Sequence, residues 1–484
     1  MHTELITKPD NYSFDDVPAT IDDEKVNHSQ LLKDLLETVQ LVDFRALAGL
    51  EGDEKVNTRH YIVYGVKEIL RLAKVMDWQI CQHNDFTYLY NGAYWAKIED
   101  DTLKRFLGES AKKMGWKESF ADYFPHRDHL IKQFKSEAYL PAPDRDSGKV
   151  LINLQNGTFE ITENGTRLRD FDPSDFLTYQ LPFEYDPDKT APIFEKYINE
   201  VLPDEGLQQV LAEYTGYVFI PTASMKLEKV LMLYGGGANG KSVFFDILRA
   251  LVGSENFSTY SLQSLTNDNG YYRADLADRL VNYASEISGR VETSYFKTLA
   301  SGEPIEARLP YRDPFVINNY ARLIFNVNQL PYDVEHTEGF FRRFLIIPFN
   351  VTITKERQDK GLAKRIIQDE LPGVFNWVLN GLHGLLQQGN FTHSKKIESE
   401  VSSYRKESDS VALYMDDMGY TPSLERQKPQ KELYQQYRNY AIDNGYKPVS
   451  NINFGKRLEA IGYTRGRTNI GQIVYAETET NNPF

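Results

Sequence analysis

The residues most able to do chemistry are Gly235, Gly236, Gly237, Ala238, Asn239, Gly240, Lys241 and Ser242, which fit the spacing G-x-x-x-x-G-K-[ST]. Glycines at these places let a turn curl until successive backbone N–H groups face one phosphate, and a helix starting there adds partial positive charge. Lys241 would reach the β/γ-phosphates, and the Ser242 hydroxyl would ligate Mg²⁺. Position supports the reading. Lys229–Tyr234 is a short apolar run of strand type, and Val243–Leu251 carries apolar residues at helical spacing. A strand–loop–helix with this motif predicts a nucleoside triphosphate as ligand.

Three further segments bear on the chemistry of a bound triphosphate. Leu280–Ala284 predicts a second strand ending in Ser285-Glu286, and an acid at such a strand end can activate water or hold the metal's water shell. Ala321–Val327 predicts a third strand ending at Asn328, whose amide would lie between the other two strand ends and meet the γ-phosphate or the water. Arg342 and Arg343 precede the apolar run Leu345–Phe349, and an arginine at that corner can complete a neighbouring subunit's site.

Between Glu286 and Asn328, Ile305–Ile317 alternates on both sides of Pro310-Tyr311-Arg312-Asp313-Pro314 and predicts a hairpin. Arg308 and Arg312 suit phosphates, Tyr311 suits stacking on a base, and Lys297 on the preceding helix is a further candidate. Nearer the end, Lys431–Asn444 and Asn451–Ile461 predict two helices, stopped by Gly445 and Gly462, with a hairpin around Gly466–Gly471 after them. Helix, polar-faced helix and basic hairpin is the order of a winged helix. Asn451, Asn453, Lys456 and Arg457 would face a major groove, and Arg465 and Arg467 would meet phosphate.

The chain has 484 residues, enough for about three domains. Its 41% hydrophobic and 13% aromatic content predicts globular domains. Cys81 is the only cysteine, which rules out structural disulfides and cysteine-rich zinc sites and predicts a reducing compartment. No apolar run approaches the ~20 residues of a membrane span and no signal peptide opens the chain, so the expectation is a cytoplasmic protein without a membrane partner. A net charge of −14 argues against nucleic acid until its distribution is read. Residues 1–55 hold thirteen acidic and five basic residues, whereas residues 424–467 hold nine basic and four acidic ones. That local excess points to a phosphate backbone.

The segments fall into an acidic tail with a helical region (1–80), a mixed α+β region (81–220), a nucleotide-binding domain (221–390), a connector (391–430) and a closing unit (431–484). In order and spacing, GGGANGKS at 235–242, LVNYASE at 280–286, KTLASGEPIEAR at 297–308, FNVNQLP at 325–331 and GFFRRFLIIPF at 339–349 resemble the superfamily 3 helicases. The likeness extends to the C-terminal region of phage and plasmid primase–helicases and to the Rep initiators of pathogenicity islands. INLQNGTFEI at 152–161 and LPFEYDP at 181–187 add to it, so that it covers roughly 80–480.

The resemblance implies a multidomain α/β protein: an α+β N-terminal region, a central AAA+-like P-loop ATPase domain and a C-terminal winged helix. It implies ATP and Mg²⁺, Lys241 and Ser242 on the nucleotide, Glu286 as catalytic acid, Asn328 as polar sensor, and Arg343 as arginine finger with Arg342 the alternative. A ring, hexameric by resemblance, would draw single-stranded DNA past the 305–317 hairpin in the 3′ to 5′ direction. Origin duplex would bind the C-terminal unit, and a separate primase or host replication proteins would be partners. Ser285 departs from relatives that carry an acid there, and Glu303 stands where aspartate is common. Two rivals stand beside the motor: an origin-melting initiator that uses ATP as a switch, and a phosphate-loop kinase. A primase would need paired carboxylates such as Asp144 with Asp146 or Asp186 with Asp188, which read as turns.

Overall fold

The computed structural model describes residues 28–76, 78–83, 86–138, 148–285, 291–331, 335–469 and 471–478. The contacts divide the chain into two units. In the first, the helix His28–Thr38 buries Leu31, Leu32 and Leu35 with Val66 and Ile69 of the helix Thr58–Val75 and Leu103 and Leu107 of Asp100–Lys113. Gln79–His83, Phe86–Tyr90 and Trp95–Ile98 form an antiparallel sheet, its second turn at Asn91-Gly92 as the sequence predicts. Cys81 lies in a small aromatic cluster there, and burial pushes its thiol up to about 12, far from reactive.

The second unit is built round a five-stranded parallel sheet. Numbering only its strands, these are β1 (Val230–Tyr234), β2 (Phe257–Ser258), β3 (Val281–Ser285), β4 (Arg322–Val327) and β5 (Phe344–Pro348). Their order is β5-β1-β4-β3-β2. The near-continuous apolar runs in β1 and β5 are what a sheet covered on both faces requires. Register sets the functional edge. Tyr234 pairs with Val327 and Pro348, and Asn326 pairs with Ser285, so four strands end almost level.

Two helices, Glu205–Tyr217 and Leu371–Gln388, pack through glycine: a Cβ on Gly381 would lie 2.4 Å from the Ala212 carbonyl carbon, and one on Gly216 would lie 2.6 Å from Leu382 Cβ. The hairpin of Val150–Leu154 and Gly157–Thr162 packs Phe159 against Phe375 of the second helix. Glu370 accepts from the backbone N–H groups of Ile193 and Phe194 at 2.9 Å, anchoring the helix Pro192–Val201 beside the sheet.

Residues 391–430, expected as a connector, instead contain ordered elements. The helix Lys395–Glu407 places Tyr404 in the sheet's core, while Val411, Tyr414 and Met415 of Ser410–Asp417 join the core of the closing unit. The strand Tyr420–Pro429 pairs with Gly471–Thr478, which also pairs with Arg465–Thr468. Pro422 and Pro429 hide this strand from a sequence reading, because proline is confined to strand edges, ends and bulges. The register indeed shifts between Pro422 and Gln427. The closing unit therefore begins near residue 409, with the helices Gln430–Asp443 and Asn451–Ala460 between its first and second strands.

Gly381→Leu should cost about 1–3 kcal/mol by overpacking. It should lower the thermal unfolding midpoint by several degrees, whereas Gln387→Ala, exposed on the same helix, should not; equal midpoints would contradict the close helix contact.

Candidate functional site

The loop between β1 and the helix Lys241–Val252 is shaped by what surrounds it. Gly235 has φ +155°, and a Cβ there would lie 2.4 Å from the Phe349 carbonyl oxygen. Gly240 has φ +88°, and its Cβ would meet Val201 Cγ1 at 2.6 Å. These two glycines are required by contact, whereas Gly236 and Gly237 face open space. Asn239 ties the loop down, donating to the carbonyls of Gly236 (2.6 Å) and Phe349 (2.9 Å). Tyr197 OH donates to the Gly240 carbonyl at 2.9 Å, and Ile353 N–H to that of Ala238 at 2.7 Å.

Lys241 is buried and its ammonium donates to the carbonyls of Gly235 (2.7 Å) and Gly236 (3.1 Å) and to Asn239 Oδ1 (2.9 Å). Burial among neutral acceptors lowers its pKa from the ordinary lysine value. A phosphate oxygen offers this cation a stronger, charge-assisted partner. The Ser242 hydroxyl is exposed in the helix's first turn, where backbone N–H groups have no intrahelical acceptor.

Asn328 comes directly after β4 and is exposed. Since β4 lies between β1 and β3, Asn328 follows a strand that ends between the loop after β1 and the end of β3. Ser285, also exposed, closes β3, two strand spacings or about 10 Å from β1. Glu286, next in the chain, lies outside the described residues. So does 144–146, while Asp186 forms a local turn by accepting from the Asp188 N–H at 3.0 Å.

The exposed Ser242 hydroxyl is an oxygen donor of the kind Mg²⁺ accepts. Among the described residues no group of three or more His, Cys, Asp or Glu could hold a metal. With triphosphate oxygens and water, that hydroxyl would complete a donor set Mg²⁺ favours.

Arg342 and Arg343 lie at the opposite edge of the sheet. The Arg343 carbonyl accepts from Val230 N–H at 2.8 Å, where β1 and β5 begin. Five strand residues, about 16 Å, separate that corner from the phosphate loop. Both guanidinium groups meet Glu228, Arg342 at 2.7 Å and Arg343 at 3.2 Å. Arg342's side chain is 55% exposed and Arg343's 11%, the latter also donating to Ser301 Oγ and the Gly339 carbonyl. Sequence reading missed Glu228, which stands more than a hundred residues away from both.

The strands Ile305–Ala307 and Phe315–Ile317 pair antiparallel as predicted. Tyr311 at the tip is fully exposed with φ +60°, and Arg308 and Arg312 are exposed beside it, Arg308 Nε donating to the Arg312 carbonyl at 3.2 Å. Lys297 departs from expectation: both oxygens of Glu335 hold its ammonium at 2.8 Å.

In the closing unit, Asn453, Lys456 and Arg467 are exposed as predicted. Asn451 accepts from Gln430 Nε2 at 3.0 Å through its side chain. Arg457 and Arg465 do not point free into solvent. Arg457 pairs with buried Asp409 at 3.3 Å, and Arg465 with Glu459 at 2.9 Å beside Gly455. Asp409 also caps Ser410–Asp417 and lies 3.6 Å from His336, so charge at one helix start fixes Arg457 inward.

Residues 68–203 match the family described as D5 N terminal like, and residues 233–343 match a family of unknown function, DUF5906. Over 351 residues the chain is 24% identical to a protein of Acanthamoeba polyphaga mimivirus named "Putative helicase L207/L206". That match covers 66% of this chain but 36% of the viral protein, so the chain spans about a third of its relative's length. Among solved structures it is similar to the A form apo structure of the NrS-1 C terminal region, at 13% identity and TM-score 0.47, over 88% of this chain and all of that one. A second apo structure of that region (residues 305–718) matches at 12% identity and TM-score 0.47, over 86% and 98% of the respective chains.

Lys241→Ala should weaken binding of a fluorescent ATP analogue at least tenfold, the value of one charge-assisted contact. Equal titration curves for the two proteins would remove Lys241 from the site.

Proposed function

We propose that this chain is an ATP-dependent DNA helicase that starts replication of a phage or mobile element. The D5-type segment and the helicase-named viral relative support a phage-type primase–helicase family. The observation that carries the reading is the shared sheet edge, where the phosphate loop, Asn328 and the end of β3 come level. ATP would lie along the Gly235–Ser242 loop with Lys241 on its terminal phosphates. Asn328 would orient water, and Glu286 would accept its proton as the phosphoryl bond breaks. Mg²⁺, when bound through Ser242, supplies charge neutralisation on the phosphates.

The remote arginine corner favours assembly. An arginine beyond its own loop's reach can act only on a neighbour, and head-to-tail contacts that repeat and close give a ring. A hexamer is the ring the resemblance implies. The resemblance gives Arg343 as the finger and Arg342 as the alternative; the greater exposure of Arg342 and the bonds of Arg343 to Glu228 and Ser301 favour the alternative. The hairpin tip, with Arg308, Tyr311 and Arg312, would track one strand in the pore, 3′ to 5′ by resemblance. The closing unit's helix–strand–helix–helix–hairpin order supports reading it as a winged helix, whose Asn453, Lys456 and Arg467 would meet origin duplex.

A strand-displacement assay on a tailed duplex tests this. The wild-type chain should unwind with ATP, Lys241→Ala should unwind none while still binding origin duplex, and Tyr311→Ala should lose on the order of tenfold in unwinding rate. Hydrolysis without displacement would favour the rival in which ATP switches an origin-melting initiator.

A further inference from the structure

The outward face of Asn451–Ala460 is defined by what its inward face buries. Phe454, Gly455 and Leu458 are buried, which turns Ile452, Asn453, Lys456 and Glu459 outward at helical spacing. Ile452 is 71% exposed on that face, with Lys456 one turn beyond it. Asn453 flanks it, while Asn451 turns towards Gln430. The two arginines best suited to guanine are engaged elsewhere: Arg457 with Asp409, and Arg465 with Glu459, which also neutralises the face's one carboxylate. Exposed Lys447, Lys456 and Arg467 leave the surround positive.

We infer that the first turn of this helix reads an A·T step of duplex DNA, Ile452 against a thymine methyl and Asn453 against the adjacent adenine. The inference rests on the duplex-binding role proposed above and names what that surface recognises. In the major groove thymine alone presents a methyl group, which an aliphatic side chain covers. Adenine's N6 and N7 match the donor and acceptor of a carboxamide. An isoleucine gains nothing from phosphate, so a base edge is the part of a duplex that its side chain can cover. Lys456 then falls on phosphate or on the next base pair.

The test uses the full chain and a pool of random-sequence duplexes, from which retained sequences are read. Enrichment of a site containing a T–A step is expected. In that site thymine→uracil removes one methyl and should weaken wild-type binding about fourfold, the worth of one buried methyl, and leave Ile452→Ala unaffected. Asn453→Ala should lose on the order of tenfold for adenine. Circular dichroism melts of the variants report whether each folds. A G·C pair at the position whose preference Ile452→Ala changes, or no response to uracil, overturns the inference. Retention of duplex without sequence preference also overturns it while leaving duplex binding standing. Retention of no duplex at all sinks the duplex-binding role itself.

Discussion

Parallel strands impose direction on everything this chain can do. All five strands of the central sheet run one way, so every carboxyl end lies on one edge and every amino end on the other. Gly235, Asn328 and Ser285 belong to the first edge, and Arg342 and Arg343 to the second. No side chain bridges the roughly 16 Å between edges. In the proposed reading, loop glycines, helix dipole and strand-end amide would therefore form most of a phosphate site, and the arginines would serve a site on another copy.

Packing holds these edges in place. The loop rests on the Phe349 carbonyl and on Tyr197 and Val201 of the helix Pro192–Val201, itself capped by Glu370. The arginine corner is pinned by Glu228, and the stretch before it by pairs of Lys297 with Glu335 and Arg405 with Glu338. Buried Asp409 links that stretch, through His336, to Arg457 of the closing unit. The chain of ion pairs beside the corner thus continues into the closing unit, where Asp409 turns Arg457 inward.

How much was legible in the sequence depends on range. The phosphate loop, its strand and helix, the 305–317 hairpin and the helices ended by Gly445 and Gly462 are local patterns, and each appears within a residue or two of its expected bounds. Read along the chain, the charges of Lys297, Arg457 and Arg465 look free. Their partners Glu335, Asp409 and Glu459 meet them only after folding. Tyr420–Pro429 was lost because its prolines obey an edge-strand rule that needs the neighbour to be known. The placing of β4 between β1 and β3, by contrast, is legible from the role the sequence motif leads one to expect of Asn328.

The most direct measurement of the central claim is ATP hydrolysis by mixed variants. Lys241→Ala and Arg342→Ala chains, and likewise Lys241→Ala with Arg343→Ala, are each assayed alone and then co-assembled in equal amounts. If an arginine crosses to the neighbouring site, Lys241→Ala and the variant of that arginine are each inactive alone. In at least one mixture about a quarter of the interfaces unite an intact loop with an intact arginine, and hydrolysis returns. Co-assembled mixtures that stay inactive, or arginine variants that hydrolyse ATP at the wild-type rate alone, would contradict a site completed between copies.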